Sequence, residues 1–228
     1  MKKLKFIFTL LVATAIFASC DWDNYDEPES FLKGTIVYNG EPINVSYNDV
    51  NFQLWEPGWE LSYPINVVID QDGTYSALLF NGSYKLVFPD GQGPFRTVGA
   101  DTLDVNLNGD QNMDIEVEPY YMIRNAQFSA AGGNVTATFQ AEKIITDADA
   151  RDIERVNLYV NKSQFVDFRT NIASTEIGGG DIADANSISM SVAVPEITPT
   201  QNYVYARVGL KVAGREDMIF SSVQRIDL

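Results

Sequence analysis

The 228-residue chain has no histidine and only one cysteine. Without histidine there is no Ser-His-Asp or Cys-His catalysis, and a zinc site built from His and Cys is excluded. One cysteine permits no internal disulfide, so any domain must be held by an apolar core. The 45% hydrophobic and 12% aromatic residues supply one. Basic residues are scarce too, 16 against 31 acidic. Long apolar runs are lacking apart from Phe6 to Phe17, which falls short of the roughly 20 residues of a membrane-spanning helix.

What is present begins with that run. Met1-Lys2-Lys3-Leu4-Lys5 precedes it and Ala18-Ser19-Cys20 follows, the basic, apolar and small-residue succession of a secretory signal over residues 1–19. Phe17-Ala18-Ser19-Cys20 resembles the lipobox of bacterial lipoproteins, which implies cleavage before Cys20 and acylation of its sulfur and new amino terminus. Several acyl chains on one residue make a stable anchor, so the membrane is expected to be met through lipid only. The alternative is an ordinary secretory signal ending on a chance cysteine. Residues 20–30, with Asp21-Trp22-Asp23-Asn24-Tyr25-Asp26-Glu27-Pro28-Glu29, have the composition of a solvated tether. An acidic stretch after the lipidated cysteine also resembles the export signal of Bacteroidetes surface lipoproteins, implying an outer-membrane location facing the cell exterior. A spacer in a periplasm-facing lipoprotein is the other reading.

Loss of residues 1–19 removes three lysines and no acid, so 16 less 3 leaves 13 basic residues against 31 acidic, a net charge of −18. Nucleic-acid affinity comes from cations that neutralise phosphates, so nucleic acid is excluded as a partner. Neutral partners such as oligo- or polysaccharides are tolerated. Carboxylate chemistry of the glycosidase kind needs only two acids and survives these exclusions. Most acids fall where a strand edge or solvent face would hold them, so no enzyme is expected, and no cofactor or metal.

Past Ser30 nearly every segment is short, β-branched or aromatic and bounded by turn residues, the pattern of an all-β chain of two tandem β-sandwiches. Residues 146–154 form the one candidate short helix. Residues 31–118 read as about seven strands. Phe31 to Tyr38 leads into Asn39-Gly40, and Val50, Phe52 and Leu54 alternate with Asn51, Gln53 and Trp55. Ile65 to Ile69 precedes Asp70-Gln71-Asp72-Gly73. Thr74 to Phe80 is closed by Asn81-Gly82, a two-residue hairpin signal before Ser83 to Phe88. Leu103, Val105 and Leu107 alternate with Thr102, Asp104 and Asn106; Ile115 and Val117 then repeat the pattern, predicting a half-buried antiparallel hairpin.

Gly34-Thr35-Ile36-Val37, Gly40-Glu41-Pro42-Ile43, and Asp72-Gly73-Thr74-Tyr75 followed by Gly82-Ser83-Tyr84-Lys85-Leu86 resemble the transthyretin-like, carboxypeptidase-regulatory sandwich. That resemblance implies a structural or adhesive domain with no catalytic residues.

Pro119 breaks the pattern, and residues 119–228 read as a second series of about seven strands. Tyr121 to Ala130, Val135 to Ala141, Arg155 to Val160, Phe165 to Phe168, Ile188 to Val194, Tyr203 to Val212 and Ile219 to Ile226 are the expected elements, with Ile177-Gly178-Gly179-Gly180-Asp181 as a flexible loop. Pro195 to Tyr203 with the valine-rich strand after it resembles the E-to-F corner and F strand of fibronectin type III, immunoglobulin-like sandwiches. The apolar face, Val204 to Val212 at alternate positions, is opposite in phase to Tyr203. The whole succession resembles a Bacteroidetes lipoprotein family of uncharacterised function associated with starch-utilisation-type glycan import. The resemblance implies a non-catalytic glycan-binding or accessory component of an outer-membrane importer complex; the alternative is an adhesin or scaffold subunit that binds no sugar.

Trp55-Glu56-Pro57-Gly58-Trp59-Glu60-Leu61-Ser62-Tyr63 puts two of the three tryptophans and a tyrosine within nine residues. Sugars stack C–H faces on exposed rings while their hydroxyls need amides, and Asn51 and Gln53 share the Trp55 face. Trp55, Trp59, Tyr63, Asn51 and Gln53 are therefore the candidate ligand site, unless the rings plug the junction between domains or cap the sandwich. Asp110-Gln111-Asn112-Met113-Asp114 starts like a calcium loop but has Ile115 at the turn-glycine position and lacks the closing glutamate. Asp101-Thr102-Leu103 resembles the acceptor for O-glycosylation in Bacteroidetes secreted proteins, which would modify Thr102; a plain strand start is the alternative.

Overall fold

The computed structural model describes residues 27–58 and 63–228. The leader, Cys20, most of the tether and Trp59 lie outside the described residues. The first half carries β1 (Ser30–Tyr38), β2 (Glu41–Pro42), β3 (Asn51–Trp55), β4 (Ile65–Val68), β5 (Thr74–Leu79), β6 (Gly82–Val87), β7 (Phe95–Thr97), β8 (Thr102–Leu107), β9 (Gln111–Asn112) and β10 (Ile115–Pro119). The second carries β11 (Tyr121–Ala131), β12 (Asn134–Lys143), β13 (Ile153–Asn161), β14 (Ala173–Gly178), β15 (Ile188–Ala193), β16 (Tyr203–Val212), β17 (Met218–Phe220) and β18 (Gln224–Asp227). The chain is all-β, and each half is a pair of facing sheets.

In the first half one sheet has the order β4-β3-β6-β8. The other is organised by β1, whose start pairs antiparallel with β5 and parallel with β9, and whose end pairs antiparallel with β2 and parallel with β10. Alternation chooses the inner face: Phe52 and Leu54 of β3, Tyr84 and Leu86 of β6, Val105 and Leu107 of β8, and Ile115 and Val117 of β10 are all buried. The motif residues have mechanical duties. Asp72 Oδ1 accepts from Thr74 N and Oγ1, closing the turn in which Gly73 has φ 84° and lies against the Ile43 carbonyl. Tyr75 then donates its hydroxyl to Met113 O. A Cβ on Gly34 would stand 1.9 Å from that same carbonyl oxygen, so β1 can pass there only as glycine.

Two expected hairpins are not hairpins. β5 pairs with β1 in one sheet, whereas β6, directly after Asn81, pairs with β3 and β8 in the other. Asn81 is the pin of a corner between sheets, its Oδ1 accepting from Ser30 Oγ at 2.7 Å and Gly109 N at 2.7 Å. The true tight hairpin is β1–β2, where Asn39 and Gly40 both have positive φ, 51° and 79°, the conformation of a type I′ turn. Likewise β8 and β10 face each other across the core, because alternation fixes which side of a strand is buried and not which strand lies beside it.

The second half stacks β11-β12-β15 on β14-β13-β16-β17, with β18 also paired to β16. Residues 146–154 are not helical: Asp147 Oδ1 accepts Asp149 N and Ala150 N bonds Asp147 O, which makes one turn and stops. Phe165 to Phe168 is no strand either. Asp167 Oδ1 accepts from Arg169 N, Thr170 N and Thr170 Oγ1, turning the chain, and Ala173–Gly178 takes the place beside β13. Ile219 to Ile226 is split into β17 and β18, since Ser221 bonds Val208 through both its N–H and its hydroxyl. The expected glycine loop is a strand end and a 3-10 turn, Gly179–Asp181, so close to β13 that a Cβ on Gly179 would meet Ile153 O at 1.8 Å.

One continuous apolar core runs through both halves, from Leu32 to Ile226. At the junction Arg207, fully buried, donates to Val166 O and, at 3.0 Å, to Val45 O of the other half, and lies 3.9 Å above the Phe220 ring. Burial pulls its pKa down to about 10. Phe220 N bonds Asn44 O, and Gly93 N bonds the buried Asp217 carboxylate at 2.6 Å. No described helix is long and apolar enough to cross a membrane.

Candidate functional site

The outer face of the β4-β3-β6-β8 sheet gathers the expected site residues with others that sequence reasoning missed. Since Phe52 and Leu54 point inward, Asn51, Gln53 and Trp55 point outward. The ladder register then sets their neighbours. Asn66 of β4 stands opposite Gln53, Lys85 of β6 opposite Trp55, and Asp104 of β8 opposite Lys85. Thr102 lies opposite Val87, and Ser83 opposite Asn106. Cross-strand neighbours sit about 5 Å apart, so these rows make one surface.

Polar contacts fix its parts. Trp55 Nε1 donates to Gln53 Oε1 at 3.2 Å, which holds the half-buried indole on the amide row. Asn51 N donates to Gln92 Oε1 at 3.2 Å, bringing residues 89–94 to the strand start. Ser83 Oγ donates to Asn106 Oδ1 at 2.7 Å. Lys85 Nζ and Asp104 Oδ1 pair at 2.6 Å, so this cation of the face is matched by an anion. Tyr63 is 79% exposed and lies two residues before Ile65, which pairs with Leu54 beside Trp55. Trp55 thus belongs to an open sheet face and not to the junction of the halves. Behind it the Tyr84 hydroxyl donates to Phe80 O, and burial, with Glu56 nearby, raises its pKa.

Thr102, Asp104 and Asn106 share a phase that is plain in the sequence. Their place on the same sheet face as Gln53 and Trp55, with β6 between, was not, because it needs the strand order. The Asp110 to Asp114 segment has a structural use: Asp110 Oδ1 accepts Phe31 N at 2.8 Å, Asp114 Oδ1 accepts Thr35 N at 2.9 Å, and Glu116 Oε1 accepts Asn39 N at 2.6 Å. These carboxylates complete the hydrogen bonding of β1. Among the described residues no group of three or more His, Cys, Asp or Glu is placed to hold a metal. Thr102 is exposed at the first position of β8.

Comparison with known proteins gives the chain its relatives. Residues 30–118 match the model described as "Protein of unknown function (DUF3823) N-terminal domain", and residues 121–225 match "Domain of unknown function (DUF3823_C)". No curated protein matches. A DUF3823 family protein from Parabacteroides merdae ATCC 43184 is 36% identical, with TM-score 0.78 over 89% of this chain and 100% of its own. One from Bacteroides ovatus ATCC 8483 is 30% identical, with TM-score 0.78 over 88% and 100%. A protein from Bacteroides uniformis ATCC 8492, described as a "putative carbohydrate binding protein", shares the fold at 19% identity, with TM-score 0.71 over 88% and 100%. Matched in order by both parts of the family and by the two relatives at 36% and 30% identity, the chain belongs to the DUF3823 family.

Proposed function

We propose that the protein is a non-catalytic surface lipoprotein, anchored through acylated Cys20, that binds neutral glycan on the outer face of the β4-β3-β6-β8 sheet as part of an outer-membrane glycan-uptake system. On this reading residues 31–118 are the transthyretin-like sandwich and residues 119–228 the immunoglobulin or fibronectin III-like one. The observation that carries it is the face itself: the Trp55 ring held by Gln53, amides from Asn51 on the same strand and Asn66 on the next, Thr102 and Asn106 two strands away on β8, and Lys85 already paired. An indole offers a surface to sugar C–H groups, and the amides offer donors and acceptors to hydroxyls. The relative described as carbohydrate binding supports the ligand class.

Affinity gels cast with neutral polysaccharides test it. The wild type should be retarded by at least one, and Trp55→Ala should lose about tenfold in affinity, near 1.4 kcal/mol. Equal retardation of both proteins removes the face from consideration. Intact mass of the membrane fraction tests the anchor, and an unmodified Cys20 refutes it.

A scaffold role without sugar binding has one observation of its own. The outer edges of β4 and β5 carry no further strand among the described residues, and Ile65, Val68, Leu78 and Tyr47 beside them are 41–48% exposed. Capture of an importer pair by protein that no polysaccharide retards would favour this reading.

A further inference from the structure

A cleft of about 540 Å³ opens on the opposite flank of the molecule, between the β1–β2 hairpin and the Asp72 turn of the first half and β11 with the β17–β18 connection of the second. Its volume lies within the few hundred to thousand Å³ of small-ligand sites, which favour domain junctions. Its walls are tied. The Asn44–Phe220 backbone bridge joins the halves at its floor. At its rim Arg124 pairs with Glu41 across the junction and with Glu142 on its own sheet.

The β11 wall has been reshaped locally. Its register with β12 slips between Arg124 and Gln127, and Asn125 has φ 54°, a left-handed conformation that asparagine adopts more readily than most non-glycine residues. Asn125 Nδ2 bonds Gln140 Oε1 at 2.9 Å and holds the bulge, which brings Ala126 to the cleft beside Phe128. Bulges re-aim side chains near binding sites and also spoil an edge for strand addition. A small ligand therefore suits this wall better than an added peptide strand.

The lining is chemically two-sided. Ile123, Ala126 and Phe128 supply an apolar strip, while Asn44, Ser222 and Gln224 supply amide and hydroxyl groups. Among the described residues no lysine or arginine lines it, and its two acids, Glu41 and Asp72, are engaged with Arg124 and Thr74. Arg124 at the rim is already shared between Glu41 and Glu142, which leaves an anion little counter-charge. A sugar ring, with a C–H face and a hydroxyl edge, matches both walls.

We infer that this cleft is a second ligand site, taking the end of a neutral oligosaccharide, separate from the open sheet face. It does not depend on that face binding anything. Saturation-transfer NMR with the full chain and maltotriose, cellotriose, xylotriose and mannotriose tests it, with trigalacturonate as the acidic comparison. At least one neutral trisaccharide should receive signal from the wild type and from Trp55→Ala. Ala126→Trp, which fills the cleft from β11, should lower its affinity at least tenfold, and so should Ser222→Tyr from the other wall. Ser222 is exposed on a loop, so the second variant keeps the test open if the first does not fold. The inference fails if no neutral trisaccharide receives signal, if trigalacturonate alone does, or if the signal survives both folded variants. Loss in Trp55→Ala with survival in the cleft variants would assign all binding to the sheet face and also overturn it.

Discussion

The two halves reach the same layered architecture by different means. In β11–β18 the strands run up to 11 residues, and antiparallel ladders satisfy most of the backbone. In β1–β10 every strand but β1 is six residues or fewer, pairing is mixed parallel and antiparallel, and side chains finish what the ladders leave open, with Asn81, Asp110, Asp114 and Glu116 accepting backbone N–H groups. Long ladders place stability in the main chain, whereas short ones move it into particular side chains. The first half should therefore be the more sensitive to single polar substitutions, and the second to its core.

The sharpest way to break this contrast is Arg207, the buried side chain of the second half that bonds backbone carbonyls on both sides of the junction. Arg207→Ala leaves the Val45 and Val166 carbonyls without their donor and a cavity over Phe220, so we expect a loss of about 4 kcal/mol in urea unfolding. Gly34→Ala drives a methyl into the Met113 carbonyl and should cost about 3 kcal/mol, read the same way. Asn81→Ala frees Ser30 Oγ and Gly109 N at the corner between sheets, for about 1–2 kcal/mol. An equal substitution on a ladder residue of β12 such as Thr138→Ala should cost less than about 0.5 kcal/mol, and an equal cost at both sites would dissolve the comparison.

The smallest effect concerns pH. Burial raises the Asp217 pKa above its usual 3.8, with the Gly93 N–H opposing. In the window between the unfolded and folded values the native state holds the extra proton, so this group's stabilising share is full below the window and is lost as pH rises through it. Asp217→Asn keeps an acceptor for Gly93 and should flatten that part of the stability profile. An unchanged slope would show that Asp49, also raised by burial, dominates it.

Face was legible in the sequence and partner was not. Val105 and Leu107, like Ile115 and Val117, were assigned to the core from period two alone, yet their strands lie in opposite sheets. The Asn39-Gly40 and Asn81-Gly82 signals are nearly the same in composition, and only the first is a hairpin. What separates them is long-range, the demand of Ser30 and Gly109 for the Asn81 amide. Phe165 to Phe168 has strand composition, but Asp167 spends its carboxylate on the next turn. The candidate face follows the same rule. Asn51, Gln53 and Trp55 could be grouped within one strand, while Asn66, Lys85 and Asn106 join them only once β4, β6 and β8 have positions.

The apolar interior shared by both halves has a consequence for how the molecule fails. With Arg207 and Asp217 bonded across the seam and no break in the core between Leu32 and Ile226, neither half can open without exposing the flank of the other. The chain should melt as a single calorimetric unit, and a ligand gripped by either half should raise the melting temperature of the whole.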